Sequence, residues 1–210
     1  MDAKIRALQI IKLLKKEYPA VRVALDFSNP IEILVATILS AQCTDKRVNI
    51  VTKDLFKKYG SVKDYAKADL KTFQKEIRST GFYRNKAKNI VNAAKKIVND
   101  FGGRVPDTMD GLVSLPGVAR KTANIVLTSA FGKVEGIAVD THALRLSKRL
   151  GLSRFSDPVK VERDLMAVVA KKDWGSVNFL LVNHGRAVCN AKKPLHDKCV
   201  LYDLCPSRKI

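Results

Sequence analysis

A lysine on the first turn of a helix can serve as an amine nucleophile, and Lys121 stands in such a place. The stretch Leu115-Pro116-Gly117-Val118-Ala119-Arg120-Lys121-Thr122-Ala123 sets a tight Pro-Gly turn before a new apolar helical face at Ala123, Val126, Leu127 and Ala130. Leu112 and Leu115 give the preceding element an apolar face as well, so the pattern predicts a hairpin of two short helices. Its turn, around Gly117 and Ala119, would present main-chain N–H groups at a helix N-terminus, an anion site reinforced by Arg120 and the helix dipole. Lys121 lies off the buried stripe, where the positive dipole end and Arg120 favour the neutral, nucleophilic amine. The same spacing equally describes an ordinary helix connection with solvated cations. Further on, Val139-Asp140-Thr141-His142 opens a segment carrying Ala143, Leu144, Ser147 and Leu150. Asp140 suits an N-cap, and a cap carboxylate at the mouth of a cleft can also take or give a proton.

The elements that must position these residues are helical almost from end to end. Leu8, Ile11 and Leu14 form one i, i+3 stripe, and Val48, Val51, Leu55 and Tyr59 form another before Gly60. Asn29-Pro30 is a helix start, cap then first-turn proline, and the segment through Ala41 is apolar nearly all round. Ala87, Ile90, Val91, Ala94, Ile97 and Val98 make a wide stripe ending at Phe101-Gly102-Gly103. Segments near 118–130, 140–150, 158–171 and 174–186 repeat the pattern, and only Lys133–Val139 has strand character. About ten or eleven short helices, with no repeat and no Pro/Ser-rich linker, predict an all-α protein.

Charge narrows the partner. The 210 residues carry 39 Lys+Arg against 20 Asp+Glu, a formal net charge of +19. Such a field fits a polyanion, nucleic acid or an anionic surface, and argues against cationic partners. The longest apolar stretch, Leu34–Ala41, is interrupted by Thr37 and Ser40, far short of the roughly 20 residues a membrane span needs. Charges break the N-terminal segment every two or three positions, which excludes a signal-peptide core. The expected compartment is therefore the reducing cytoplasm, near the nucleoid, where four cysteines are not two disulfides.

Taken in order, LPGVARKTANIVLTSAFG and VDTHALRLSKRLGL resemble the helix-hairpin-helix and Gly/Pro…Asp signature of the endonuclease III family of DNA glycosylases. LSAQCTDKRVN (39–49), GFYRNKAKNI (81–90) and the cysteine-bearing tail extend the resemblance over nearly the whole chain. It implies a bifunctional DNA N-glycosylase and AP lyase of base excision repair, removing oxidised pyrimidines from duplex DNA. Lys121 would be the Schiff-base nucleophile and Asp140 its acidic partner. Gln42 of the SAQ loop would fill the hole left by the flipped nucleotide, and Phe82 would be a second wedge where leucine is usual. Without the resemblance, Gln42 is a polar residue at a helix end and Phe82 a core ring. Ala119 replaces the usual second hairpin glycine, which is tolerable only with an ordinary negative φ.

By the same resemblance, the tail should hold an iron–sulfur cluster. The family loop has the form C-x6-C-x2-C-x5-C, and this chain carries Cys189, His196, Cys199 and Cys205 on that spacing, imidazole standing for one thiolate. The resemblance therefore implies a [4Fe-4S] cluster, with zinc, a [3Fe-4S] cluster or an empty loop as alternatives. Lys192, Lys193 and Lys198 would make the loop a basic prong against DNA. The fold expected is two helical lobes flanking a DNA-binding cleft. A six-helix lobe at 21–134 would carry the hairpin at about 109–130. Residues 1–20 with 135–210 would form the lobe with the cluster loop at 189–205. The partner would be duplex DNA bearing damaged pyrimidines or abasic sites, bound by a monomer, with no membrane role. The rival readings are a mismatch thymine or uracil glycosylase, a non-catalytic hairpin DNA-binding protein, and an electron carrier.

Overall fold

The computed structural model describes residues 2–208, and the outermost expected lobe residues, 1, 209 and 210, lie outside them. The described chain is all-helical. Its eleven α-helices are α1 (Ala3–Glu17), α2 (Pro30–Leu39), α3 (Asp45–Lys58), α4 (Val62–Lys67), α5 (Leu70–Glu76) and α6 (Tyr83–Asp100), followed by α7 (Met109–Val113), α8 (Arg120–Phe131), α9 (Thr141–Arg149), α10 (Pro158–Val168) and α11 (Trp174–Ala187). Short 3₁₀ turns at Arg78–Thr80, Lys171–Asp173, His196–Lys198 and Tyr202–Leu204 join or follow them. No helix among the described residues is long and apolar enough to cross a membrane.

Local chemistry sets most of the boundaries. The Asn29 side chain accepts from the Glu32 N–H and Pro30 sits in the first turn of α2. Ser61 and Asp64 close a reciprocal capping box at the start of α4. Gly132 ends α8 in the left-handed region at φ 63°, with the Lys133 N–H reaching back to the Leu127 carbonyl at 3.1 Å. Residues 133–139 form no strand, since a short β-branched run without a partner strand has nothing to pair with.

The chain divides into two compact units, residues 24–135 and residues 1–23 with 136–210. The first holds seven α-helices, α2 to α8, where the sequence suggested six, because the five-residue α7 and the short α4 and α5 each form a separate turn of helix. In it, α2 is buried along nearly its whole length and packs against α3, α6 and α8. Tyr59, Tyr65 and Phe73 make an aromatic cluster with centroids 5.2–6.0 Å apart. In the second unit α1, α9, α10 and α11 bury Ile10, Leu14, Leu146, Leu165, Leu180 and Leu201 in one core. Leu8 does not join that core: it is 60% exposed, and Ala7 and Ile10 complete the α1 stripe instead.

Candidate functional site

The hairpin forms as its sequence requires. α7 and α8 pack together, and the intervening turn closes with the Val118 N–H on the Leu115 carbonyl at 3.1 Å. Gly117 occupies the third place of that turn at φ 77°. A Cβ there would lie 2.8 Å from Asn89 Cβ on α6, so glycine is demanded by conformation and by space. Ala119 has φ −91° and ψ 168°, extended backbone that alanine adopts without strain. It is the N-cap of α8 and makes no side-chain capping hydrogen bond to the first turn. Lys121 is exposed on that first turn. The arrangement can bind an anion at the helix end and present an amine beside it.

In the same unit, Gln42 and Phe82 share a property the sequence did not announce. They are the two non-glycine residues with positive φ among the described residues, at 53° and 47°. Each such residue costs about 1–2 kcal/mol unless its surroundings compensate. Both side chains face solvent, Phe82 being 64% exposed, so Phe82 is not the core ring that its residue type alone suggested. Phe82 also serves as the N-cap of α6, without a side-chain capping bond.

Lys86, four residues on, escaped the sequence reading. It is buried at 4% exposure, and its Nζ donates to the carbonyls of Leu39 and Thr80, each at 2.7 Å. Burial lowers its pKa, with the Cys43 thiol pulling the other way. The available signal was its register: Lys86, Ile90 and Ile97 share the buried stripe of α6, where a lysine is unusual.

The second unit holds Asp140 and the cysteine loop. Asp140 is the N-cap of α9, its Oδ1 accepting from the Ala143 N–H at 2.8 Å. The far end of α9 grips the loop. Arg149 donates to Cys189 Sγ at 3.3 Å and to the carbonyls of Asn190 and Ala191 at 2.7 and 2.8 Å. Arg145 donates to the carbonyls of Gly185 and Cys189 at 3.1 and 3.0 Å. Neither arginine was singled out from sequence, where both look like ordinary basic residues of a polar helix face. Lys192, Lys193 and Lys198 are exposed around the loop.

Cys189, His196, Cys199 and Cys205 line one cavity. Burial raises the Cys199 and Cys205 thiols, and each feels the charge of Cys189. His184, buried beneath, is pushed down to about 4 by burial and lies 3.5 Å from Cys199 Sγ. His196 Nδ1 donates to the Arg208 carbonyl at 2.8 Å, which leaves Nε2 as the lone-pair nitrogen, the tautomer a metal-binding imidazole uses. Among the described residues, no group of three or more His, Cys, Asp or Glu is placed to hold a metal ion. Thiolate and imidazole are donor types that iron–sulfur clusters take, and all four side chains border this one cavity.

Residues 35–171 match the HhH-GPD superfamily of base excision DNA repair proteins. Endonuclease III of Synechocystis is 53% identical over 204 residues, covering 97% of this chain and 93% of that one. The chain belongs to the endonuclease III family. Endonuclease III of Bacillus subtilis is 51% identical, over 90% of this chain and 86% of its own. Two solved structures, a non-covalent endonuclease III–DNA complex and a trapped endonuclease III–DNA covalent intermediate, each superpose with a TM-score of 0.94 at 42% identity. Each covers all of this chain and 98% of that protein. A thermostable thymine-DNA glycosylase, 23% identical with a TM-score of 0.82, shares the fold. Membership of the endonuclease III family makes this chain a base excision repair enzyme, a DNA glycosylase and AP lyase.

Proposed function

We propose that the chain binds duplex DNA as a monomer and removes oxidised pyrimidines through a Schiff base on Lys121. What carries the reading is Lys121 itself, exposed on the first turn of the helix that follows a turn only glycine can make. The hairpin N–H groups with Arg120 would hold a backbone phosphate, while Gln42 and Phe82 would enter the stack that the flipped nucleotide vacates. The Lys121 amine would attack the sugar C1′ as the bond from C1′ to the base breaks. Asp140 would accept the amine proton and offset positive charge developing on the sugar. Ring opening gives an imine. Loss of the C2′ proton then expels the 3′ phosphate as the C3′–O bond breaks, and water releases Lys121.

Cys189, His196, Cys199 and Cys205 would hold a [4Fe-4S] cluster, which when bound would fix the tail loop and its lysines. The exposed Lys192 and Lys193 would then meet DNA phosphates.

Borohydride reduction on a duplex carrying an abasic site tests the nucleophile. A covalent protein–DNA adduct is expected with the natural protein and none with Lys121→Gln, which should still bind the duplex. Equal cross-linking by the variant would assign the imine to another amine.

A further inference from the structure

Two exposed loops hold left-handed residues whose own side chains cannot hold them in place, because those side chains point to solvent. Gln42 follows the end of α2, and Phe82 follows the 3₁₀ turn Arg78–Thr80. Behind both lies one buried ammonium. Leu39, the last residue of α2, and Thr80, the last of the 3₁₀ turn, each give a carbonyl to Lys86 Nζ at 2.7 Å. These are carbonyls at helix ends, which lack an onward intrahelical partner and present the negative end of the dipole. Thr80 is itself 1% exposed and pinned, its hydroxyl donating to the Ile77 carbonyl at 2.8 Å. One nitrogen bonded to both carbonyls fixes the two turns relative to each other.

We propose that Lys86 is a positioning residue that fastens the Gln42 and Phe82 loops together from beneath, so that the two wedges enter the base stack in fixed register. The proposal rests on the wedge reading of those residues. A short apolar side chain at 86 could fill part of the space but would leave both carbonyls buried without donors and the loops free to move apart. Such misplacement weakens catalysis only where insertion is required. An abasic site in single-stranded DNA has no stack to enter.

The test compares Lys86→Met with Gln42→Ala and Phe82→Ala in single-turnover strand cleavage at an abasic site, in duplex and in single-stranded DNA. A 2-aminopurine opposite the site reports insertion by fluorescence. Lys86→Met should cut duplex about a hundredfold more slowly, the scale of loss that small misplacements produce, with single-strand cleavage unchanged. It should also lose the fluorescence response, and adding Gln42→Ala should cost little more, since the two act as one unit. Equal loss on both substrates would make Lys86 a fold staple and overturn the proposal, as would duplex cleavage at the natural rate. If Gln42→Ala and Phe82→Ala leave duplex cleavage and fluorescence untouched, the wedge reading fails and takes the proposal with it. Should Lys86→Met not fold, Lys86→Arg decides the same way. Its planar head keeps the charge but cannot set one nitrogen against both carbonyls.

Discussion

Asp140 is an N-cap in the structure and a proton acceptor in the proposed mechanism, and two substitutions separate those roles. As N-cap its Oδ1 takes the Ala143 N–H at 2.8 Å, which asparagine can do equally well. Proton transfer needs the acid. Asp140→Asn should therefore melt with the natural protein yet lose at least about a hundredfold in strand cleavage. Asp140→Ala should lose that activity and about 1 kcal/mol of stability besides. A fully active Asp140→Asn would leave Asp140 as a cap alone. Lys86 offers a different residue-scale test, through pH. Burial lowers its native pKa, whereas unfolding returns it to water, where lysine titrates near 10.4. Between those values the unfolded chain binds more protons, so the cost of burying the ammonium falls as pH rises. The natural protein should gain melting temperature relative to Lys86→Met as pH climbs toward about 10.4, less whatever a Cys43 thiolate contributes in the opposite direction. A gap constant with pH would mean the lysine is not desolvated in solution.

At the scale of elements, the cysteine loop makes the sharpest prediction. His196 donates from Nδ1 to the Arg208 carbonyl, so in the proposed ligand set Nε2 would be the nitrogen that meets iron. A neutral imidazole in place of a thiolate leaves a cluster one unit less negative, and so easier to reduce. The purified protein should contain iron and sulfide, His196→Cys should keep both with a lower reduction potential, and His196→Ala should lose iron. Zinc without sulfide, or an unchanged cluster in His196→Ala, would remove His196 from the ligand set. The helices themselves were legible where a side chain punctuates the backbone: Asn29-Pro30 and Asp140 each mark a boundary that the structure keeps. The hairpin was legible because Pro-Gly fixes its turn. The Leu8 stripe misled because an i, i+3 pattern tolerates a shift of one position around the helix, and Ala7, small and weakly patterned, takes the buried place. Lys86, Arg145 and Arg149 were not legible as loop clamps. Apart from the Cys189 thiol that Arg149 meets, what they bind here are main-chain carbonyls, and a carbonyl leaves no mark on sequence. Gln42 and Phe82 were singled out only through resemblance, since neither glutamine nor phenylalanine signals left-handed backbone.

The whole molecule carries a formal charge of +19, far more than the hairpin needs. A field of that size draws the chain to any duplex before a lesion is met, by releasing cations from the phosphates it covers. If the hairpin end of α8 and the lysines of the cysteine loop together neutralise about five phosphates, the logarithm of the binding constant should fall with the logarithm of salt at a slope of about −4 to −5. Between about 50 and 200 mM salt that slope weakens binding roughly five-hundredfold. Lys121→Gln, which should bind without turning over, is the protein to titrate. The same experiment divides the field by its sources. Replacing Lys192, Lys193 and Lys198 with glutamine should lower the slope by about one per lysine that meets a phosphate, equally on damaged and intact duplexes, because phosphate contacts carry no sequence information. Gln42→Ala and Phe82→Ala should instead leave the slope alone and erase the preference for the abasic duplex. A slope near zero would mean that the charge is spread for solubility and never gathers on DNA. An unchanged slope after the triple substitution would place the loop lysines away from the duplex, leaving the hairpin unit to supply the contacts.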